Sequence, residues 1–448
     1  MTIPFLSKVI RMKLSLYNII IPYKKYLLLY NTLWSSVVMC FSSDMSKWGI
    51  DDKLHLSLSN IDHRLISTLK ENKIILDDDI DERNMVKNIL EETNNVKDVL
   101  ELTIIPSLAC NFSCWYCYEN HDTKDHISQP EIKHIVLALE KITINKPEIT
   151  TIKISFFGGE PLLYFKIVVI PLIENLKKDP VLNALTIKVG FTTNGYLISN
   201  KFINYFTENP ILEAIQVTLD GNKERHNKVR FSCKGDNSYS RITKNIIDCL
   251  KHKINIVLRL NISEDTKLDI AKLLKEFTNI EEAKQYLHIS IQKVWQSDYS
   301  VYNTIDRLLA ESRSLGFDSA SYFTYPSSIW STCYADKPNS MVINPNGKVF
   351  KCTARDFSPA QEEGHITEHG DIQWNDIHEK RMHLSPLNNK ECIKCNIFPI
   401  CAGGCSQKVL EDKIGKHCNL MKNEKLRIDY ARRVLFEEIG QEKIERKR

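Results

Sequence analysis

The sequence predicts a mixed α/β protein: a parallel sheet of βα units at the centre, a smaller β-then-α module before it, and a cysteine-rich segment organised around metal after it. Three observations carry that prediction. From Leu102 onward, six short β-rich runs, LTII, IKISFF, LTIKVGFT, AIQVTL, INIVLRL and HISIQ, alternate with helical stretches, the pattern that crossover helices impose on parallel strands. After about Ser328 the alternation fades, and seven of the thirteen cysteines fall within 86 residues among glycines and turns, as in a core built around metal. Before residue 100, the apolar runs LSLYNIII, KYLLLYN and SSVVMC are separated by turn-like breaks and followed by more helical sequence around Ile61 to Glu71.

At 448 residues the chain exceeds one ordinary core, so two or three domains are expected. The boundaries read as an N-terminal module over 1–100, a βα core over 101–327 and a cysteine-rich domain over 328–448. The acidic run from Asp77 to Glu82 reads as a solvated turn and helix start, not a metal site. The helix after the first core strand carries its own start signal, a capping box of Ser128 and Glu131 with Pro130 in the first turn. The terminal EKIERKR reads as a solvated helix end.

Composition excludes several classes. The net charge is +4 and the basic residues are scattered, so no nucleic-acid partner is expected. The apolar stretch from Leu14 to Cys40 is interrupted by Lys24 and Lys25, and no run approaches the roughly 20 residues of a spanning helix. No cleavable signal peptide is evident. A cytoplasmic chain keeps its thiols reduced, so the cysteines point to metal rather than to disulfides. Cys40, Cys233 and Cys249 stand outside the clusters and read as small buried hydrophobes.

In βα folds, chemistry sits on loops at the carboxyl ends of strands. Cys110, Cys114 and Cys117 follow the first core strand in ACNFSCWYCYEN. Thiolates suit iron-sulfur clusters, and three of them on a four-iron cubane leave one iron open for reaction. The competing reading is a zinc site with His121 as fourth ligand. The second strand closes on Phe157-Gly158-Gly159-Glu160-Pro161, where glycines allow close backbone approach and Glu160 can accept a bond from an ammonium. The third ends in Thr192-Thr193-Asn194-Gly195, a turn in its own right. The fourth ends in Thr218-Leu219-Asp220-Gly221, with Arg230 twelve residues after Thr218. His226 reads as a packing or hydrogen-bonding residue. Asn261 follows the fifth strand.

These motifs, with the aromatic Tyr116 before the third cysteine, resemble the radical S-adenosylmethionine superfamily. The resemblance implies a partial (βα)6 TIM-type barrel and a [4Fe-4S] cluster on Cys110, Cys114 and Cys117, whose open iron chelates S-adenosylmethionine. An injected electron then yields a 5′-deoxyadenosyl radical that abstracts a substrate hydrogen. In that family GGEP, here Gly158 to Pro161, binds the cofactor's amino group. The TNG turn at Asn194 lies near the ribose, and a hydroxyl residue and an Arg, here Thr218 and Arg230, contact the carboxylate and ribose. Thr218 replaces the more usual Ser. Asn261 matches a polar position of the family.

The C-terminal order, Cys333, then Gly347 and Cys352, then Cys392, Cys395, Cys401 and Cys405, then Cys418, resembles the iron-sulfur SPASM domain along its length. That resemblance implies two auxiliary [4Fe-4S] clusters, one on Cys333, Cys352 and Cys405, the other on Cys392, Cys395, Cys401 and Cys418. Two zinc ribbons are the competing reading. SPASM enzymes mostly modify peptides or proteins, so the expected function is maturation of a ribosomally made precursor peptide by hydrogen abstraction, forming a crosslink. Its expected electron donor is a flavodoxin or ferredoxin. The runner-up is an anaerobic sulfatase maturase forming formylglycine. Those enzymes carry a further cysteine and an Asp where this chain has Asn339 and Thr353. A nonenzymatic iron-sulfur electron carrier would leave GGEP, Thr218 and Arg230 without a task. The N-terminal module resembles either a winged-helix-like docking element that adds a leader peptide as a strand or a plain barrel cap.

Overall fold

The computed structural model describes residues 12–47, 51, 63–121, 125–232, 237–263, 269–294, 301–321, 328–412, 418, 420 and 422–445. They divide into two units, one of residues 1–95, 325–333 and 383–448, the other of 96–324 and 334–382. Cys233 lies outside the described residues.

The first unit contains β1 (Met12–Leu14), β2 (Asn18–Tyr23), β3 (Tyr26–Asn31), β4 (Ser36–Cys40) and β5 (Ile75–Asp77). β1 pairs antiparallel with β5, and β2, β3 and β4 form a separate antiparallel sheet. Lys24 and Lys25, the charges that interrupt the apolar stretch, form the β2–β3 turn, with Lys24 at φ 54°. One face of the sheet, Ile19, Ile21, Leu28 and Tyr30, packs against Tyr430, Ala431 and Leu435 of the long helix Glu424–Glu445. The Asp77–Glu82 run differs from expectation at its end. Asp81 caps the helix Glu82–Asn94, but Glu82 is buried, accepting bonds from Ser15 Oγ and the Leu16 amide, so it anchors β1 rather than facing water.

The second unit is built on one sheet. Its strands are β6 (Val99–Ile104), β7 (Thr151–Phe156), β8 (Thr186–Thr193), β9 (Leu212–Leu219), β10 (Ile256–Ile262), β11 (Leu287–Lys293), β12 (Asp318–Ala320), β13 (Ser340–Ile343), β14 (Lys348–Phe350), β15 (Gly364–Ile366) and β16 (Ile372–Trp374). From β6 to β12 all are parallel and each neighbours the next in sequence. This is barrel-type winding, not the reversed order of a doubly wound sheet. On the helix-facing side Leu100, Leu102, Ile104, Ile152, Ile154 and Phe156 meet Ile132, Ile135 and Leu139 of the helix Gln129–Asn145. That helix starts at the predicted capping box, with both reciprocal bonds of Ser128 and Glu131 formed. The sequence alternation shows six strands; among the described residues the sheet has eleven, because β12 adds in parallel beside β11 and β13 adds in parallel beside β6, carrying the antiparallel β14, β15 and β16 with it. These added strands are three or four residues long, too short for a periodic pattern to register. No described helix is long and apolar enough to cross a membrane.

A buried ion pair fixes the end of this meander. Arg381 donates through Nε to both oxygens of Glu363 at 3.0 Å, and its Nη2 lies 2.9 Å from Oε1. Burial alone pushes the Glu363 carboxyl up, but His378 and Arg381 facing it outweigh that and hold it below its ordinary 4.5. Removing one member of a buried pair strands the other, at a cost of about 3–5 kcal/mol. Arg381→Met is therefore expected to lower the unfolding free energy read from urea titration by about that amount. The stability from the lowered pKa is complete above about pH 4.5 and disappears as pH falls through the folded value; an acid titration of Arg381→Met that still loses the wild-type increment would contradict this assignment.

Candidate active site

The predicted residues converge where the strand-order rule places them. A cavity of about 230 Å3 opens at the carboxyl ends of β6 to β11, lined by Cys110, Cys114, Tyr116, Cys117, Gly158, Gly159, Asn194, Thr218, Arg230 and Asn261. The cysteine loop is shaped by its own sulfurs and amides. The Cys117 amide bonds the Cys114 carbonyl at 3.1 Å, and the Phe112 amide donates to Cys110 Sγ at 3.4 Å. Burial pushes the Cys110 thiol up to about 12 and raises Cys117. Free of metal these thiols are protonated, and binding a cation displaces their protons.

The glycine turn is pressed against that loop. Gly159 has φ +40°, and a Cβ there would lie 2.2 Å from the Ala109 carbonyl oxygen and 2.6 Å from that of Leu108. Its amide donates to Glu119 Oε2 at 2.6 Å. Glu160 and Pro161 do not line the cavity. Glu160 is wholly buried and accepts from Thr193 Oγ1 (2.7 Å), the Asn194 amide (2.8 Å) and the Leu162 amide (2.9 Å). The carboxylate expected to accept a bond from an ammonium is thus already engaged within the chain. It fastens the turn after β7 to the end of β8, and Pro161, itself buried, opens the 3-10 turn Pro161–Tyr164.

Arg230 is set by Asp220 and Tyr116. Its Nη1 donates to Tyr116 Oη at 2.6 Å and stands 4.0 Å from Asp220 Oδ2, which accepts a short hydrogen bond from the Tyr116 hydroxyl. Asn261 Nδ2 reaches the same hydroxyl at 3.2 Å. Burial raises the Asp220 carboxyl, opposed by Arg230 and Tyr116. His226 is buried and takes the Asp220 amide on Nδ1; burial lowers its pKa well below 6.5, so it is a neutral packing residue, as expected. The bridge Phe112↔Ser232 ties the cysteine loop to the segment after Arg230. Polar atoms in this region are left for a guest: Glu119 Oε1, Asp220 Oδ1 and Arg230 Nε are buried without hydrogen-bond partners. A sulfur-rich cradle beside carboxylate and guanidinium groups fits an iron-sulfur cluster with a zwitterionic cofactor.

His121, the alternative zinc ligand, sits 3.2 Å from Cys117 Sγ through Nε2 while Nδ1 faces the Leu108 carbonyl at 2.7 Å. Since a carbonyl only accepts, Nδ1 carries the proton and Nε2 takes the thiol. Glu119, Gln216, Arg259 and Lys293 also line the cavity, and sequence reasoning assigned none of them. Arg259 and Asn261 are two apart on β10, so period-two alternation was the signal that would have paired them.

In the first unit, Cys392, Cys395, Cys401 and Cys418 line a second cavity of about 160 Å3 with Phe398, Leu420 and Arg427. The Cys395 amide bonds the Cys392 carbonyl at 2.9 Å, the same short turn as in the first triad. The chain then reverses through left-handed Ala402 (φ 46°) and Gly403 (φ 81°). Cys333 and Cys405 belong to this unit but do not line the cavity; Cys352 belongs to the other. Among the described residues no three His, Cys, Asp or Glu are grouped as a single-ion site. Cys40 and Cys249 are buried apart from both cavities, as expected of small hydrophobes.

A parallel barrel-type sheet with a three-thiol loop and polar strand ends lining one cavity fits the class of cluster-dependent enzymes. Residues 104–277 match the model of the Radical SAM superfamily. The chain carries a radical SAM domain and is a radical SAM enzyme. It is 25% identical over 344 residues to a cysteine-type anaerobic sulfatase-maturating enzyme of Clostridium novyi, covering 68% of this chain and 87% of that one. It is 24% identical over 379 residues to the radical SAM cyclopropyl synthase TigE of Paramaledivibacter caminithermalis, covering 76% and 74%. Native anSMEcpe with bound AdoMet superposes with a TM-score of 0.57 at 20% identity over 77% of this chain and 99% of that one. Streptococcus suis SuiB bound to precursor peptide SuiA gives 0.52 at 15% identity over 91% and 98%. These structures share the fold.

Gly159→Ala forces a Cβ into two carbonyl oxygens at a left-handed position, a strain of about 1–3 kcal/mol. The substitution is expected to lower the iron bound after anaerobic reconstitution and the melting temperature together; unchanged values for both would remove the turn from the site's framework.

Proposed function

We propose that this enzyme matures a ribosomally made peptide by hydrogen-atom abstraction, forming a crosslink. The observation that carries the reading is the single cavity holding Cys110, Cys114 and Cys117 together with Gly158, Gly159, Asn194, Thr218 and Arg230. The three thiols would hold the [4Fe-4S] cluster, and Thr218 and Arg230 would orient the S-adenosylmethionine carboxylate. Bound there, cluster and cofactor supply the hydrogen abstraction. Tyr116 and Asp220 fix the Arg230 guanidinium, and Glu160 acts from within by holding the glycine turn. The shared cavity of Cys392, Cys395, Cys401 and Cys418 supports a SPASM-type auxiliary cluster; Cys333, Cys352 and Cys405 are assigned to a second by their order. A flavodoxin or ferredoxin supplies the electron.

Relatives named for sulfatase maturation and for cyclopropyl synthesis support protein or peptide substrates. Two positions favour the second kind. Asn339, where a further cysteine would stand in a sulfatase maturase, is held by Lys146 Nζ at 2.6 Å and by the Val96 and Lys97 carbonyls. Thr353, in place of the aspartate, bonds Tyr334 Oη through its own hydroxyl and accepts the Tyr118 hydroxyl on its carbonyl. Neither supplies a cluster thiolate or a base. The N-terminal module serves as the leader-docking element, the sheet β2-β3-β4 having β2 and β4 as its outer strands.

Anaerobically reconstituted protein with dithionite and S-adenosylmethionine is expected to release 5′-deoxyadenosine, and Cys114→Ala to abolish that release. Metal analysis giving zinc without iron and sulfide, or release by Cys114→Ala at the wild-type rate, would end this reading. Coexpression with a neighbouring precursor peptide is expected to give a product lighter by two hydrogens; conversion of a sulfatase cysteine or serine instead would establish the sulfatase-maturase alternative.

A further inference from the structure

The cavity contains two guanidinium groups in different circumstances. Arg230 is balanced by Asp220 and bonded to Tyr116. Arg259 has no ion-pair partner among the described residues and feels Asp220 only from farther off. It projects from β10 beside Thr218 of β9 and Ser290 of β11 and lines the same cavity. Its Nε donates to the neutral Asn261 Oδ1 at 3.0 Å; among the described residues its four remaining N–H groups have no acceptor, and no carboxylate stands within 4 Å. Guanidinium stays charged in proteins, and a half-buried cation with one neutral partner is costly unless a ligand brings an anion.

Its neighbours show which ligand. Burial weighs most on Arg259; the groups near enough to act on it are the Tyr118 and Tyr116 hydroxyls and, beyond ion-pair distance, the Asp220 carboxylate and the Arg230 guanidinium. Tyr116 belongs to the Arg230 network, whereas Tyr118 bonds the carbonyl of Thr353. Arg259 lines the cavity together with Tyr118 and Lys293, whose Nζ donates to the Val294 carbonyl. The cofactor carboxylate already has Thr218 and Arg230 to receive it, leaving Arg259 for a second anion.

We propose that Arg259 is a specificity-determining residue that binds a carboxylate of the substrate, so that the peptide presented to the site carries an Asp or Glu side chain at or beside the reacting residue. This rests on the peptide-maturase reading. The planar fork of Arg receives a carboxylate through two parallel bonds, which Lys does not reproduce.

The test uses the full reconstituted chain with S-adenosylmethionine and two probes, the N-acetylated, C-amidated pentapeptides Gly-Gly-Asp-Gly-Gly and Gly-Gly-Asn-Gly-Gly, followed by ligand-observed NMR. Wild type is expected to bind the acidic probe at least about tenfold more tightly, a difference that one charged, hydrogen-bonded contact supplies. Arg259→Gln is expected to erase the preference and Arg259→Lys to retain part of it, with iron content and S-adenosylmethionine affinity by calorimetry close to wild type in both. Equal binding of the two probes by wild type, or binding of neither, overturns the proposal without needing a variant. So does a tenfold loss of cofactor affinity in Arg259→Gln, which would assign the guanidinium to the cofactor. Absence of 5′-deoxyadenosine release by wild type would instead be a failure of the underlying reading, and normal release without an acidic preference a failure of this inference alone.

Discussion

Backbone-to-backbone packing between the cysteine loop and the Gly158–Glu160 turn is the contact on which the site depends. The Glu160 amide bonds the Ala109 carbonyl at 2.9 Å, and Gly159 lies so close to the Leu108 and Ala109 carbonyls that a side chain has no space. Because Glu160 also grips Thr193 and Asn194, the ends of three successive strands share one rigid joint. A cluster loop positioned this way is held by elements of the scaffold and not by its own flexibility.

Charge is distributed around that joint in closed and open sets. Glu160 is satisfied within the chain, whereas Asp220, Tyr116 and Arg230 bind one another and still leave Asp220 Oδ1 and Arg230 Nε open. Glu119 and Arg259 keep atoms that the described chain does not satisfy. Buried polar groups are tolerated when paired and costly when not, so the open atoms mark where a ligand completes the structure. The closed sets serve the framework, and reading every motif carboxylate as a ligand-binding group conflates the two.

Much of the second unit was legible. Strand runs of six to eight residues with alternating burial, such as VLELTI and TIKISF, leave a clear periodic trace, and the capping box at Ser128 marked its helix start. Cysteine spacing located the triad and the quartet because a turn of two intervening residues is local geometry. The short strands after Ser340 were not legible, since three residues carry no period. The engagement of Glu82 and Glu160 was not legible for one reason: their partners, Ser15 and Thr193, are 67 and 33 residues away in sequence.

The sequence alone determined the βα order, the triad of Cys110, Cys114 and Cys117 at a strand end, and the chemistry that such a triad serves, because ligand type and spacing are properties of a short segment. Tertiary structure decided which charges are already neutralised. Arg230 and Arg259 are equivalent in composition, and only the fold shows that Asp220 stands at ion-pair distance from one and beyond it from the other. Charge balance is a sum over neighbours in space, and the chain order does not encode it locally.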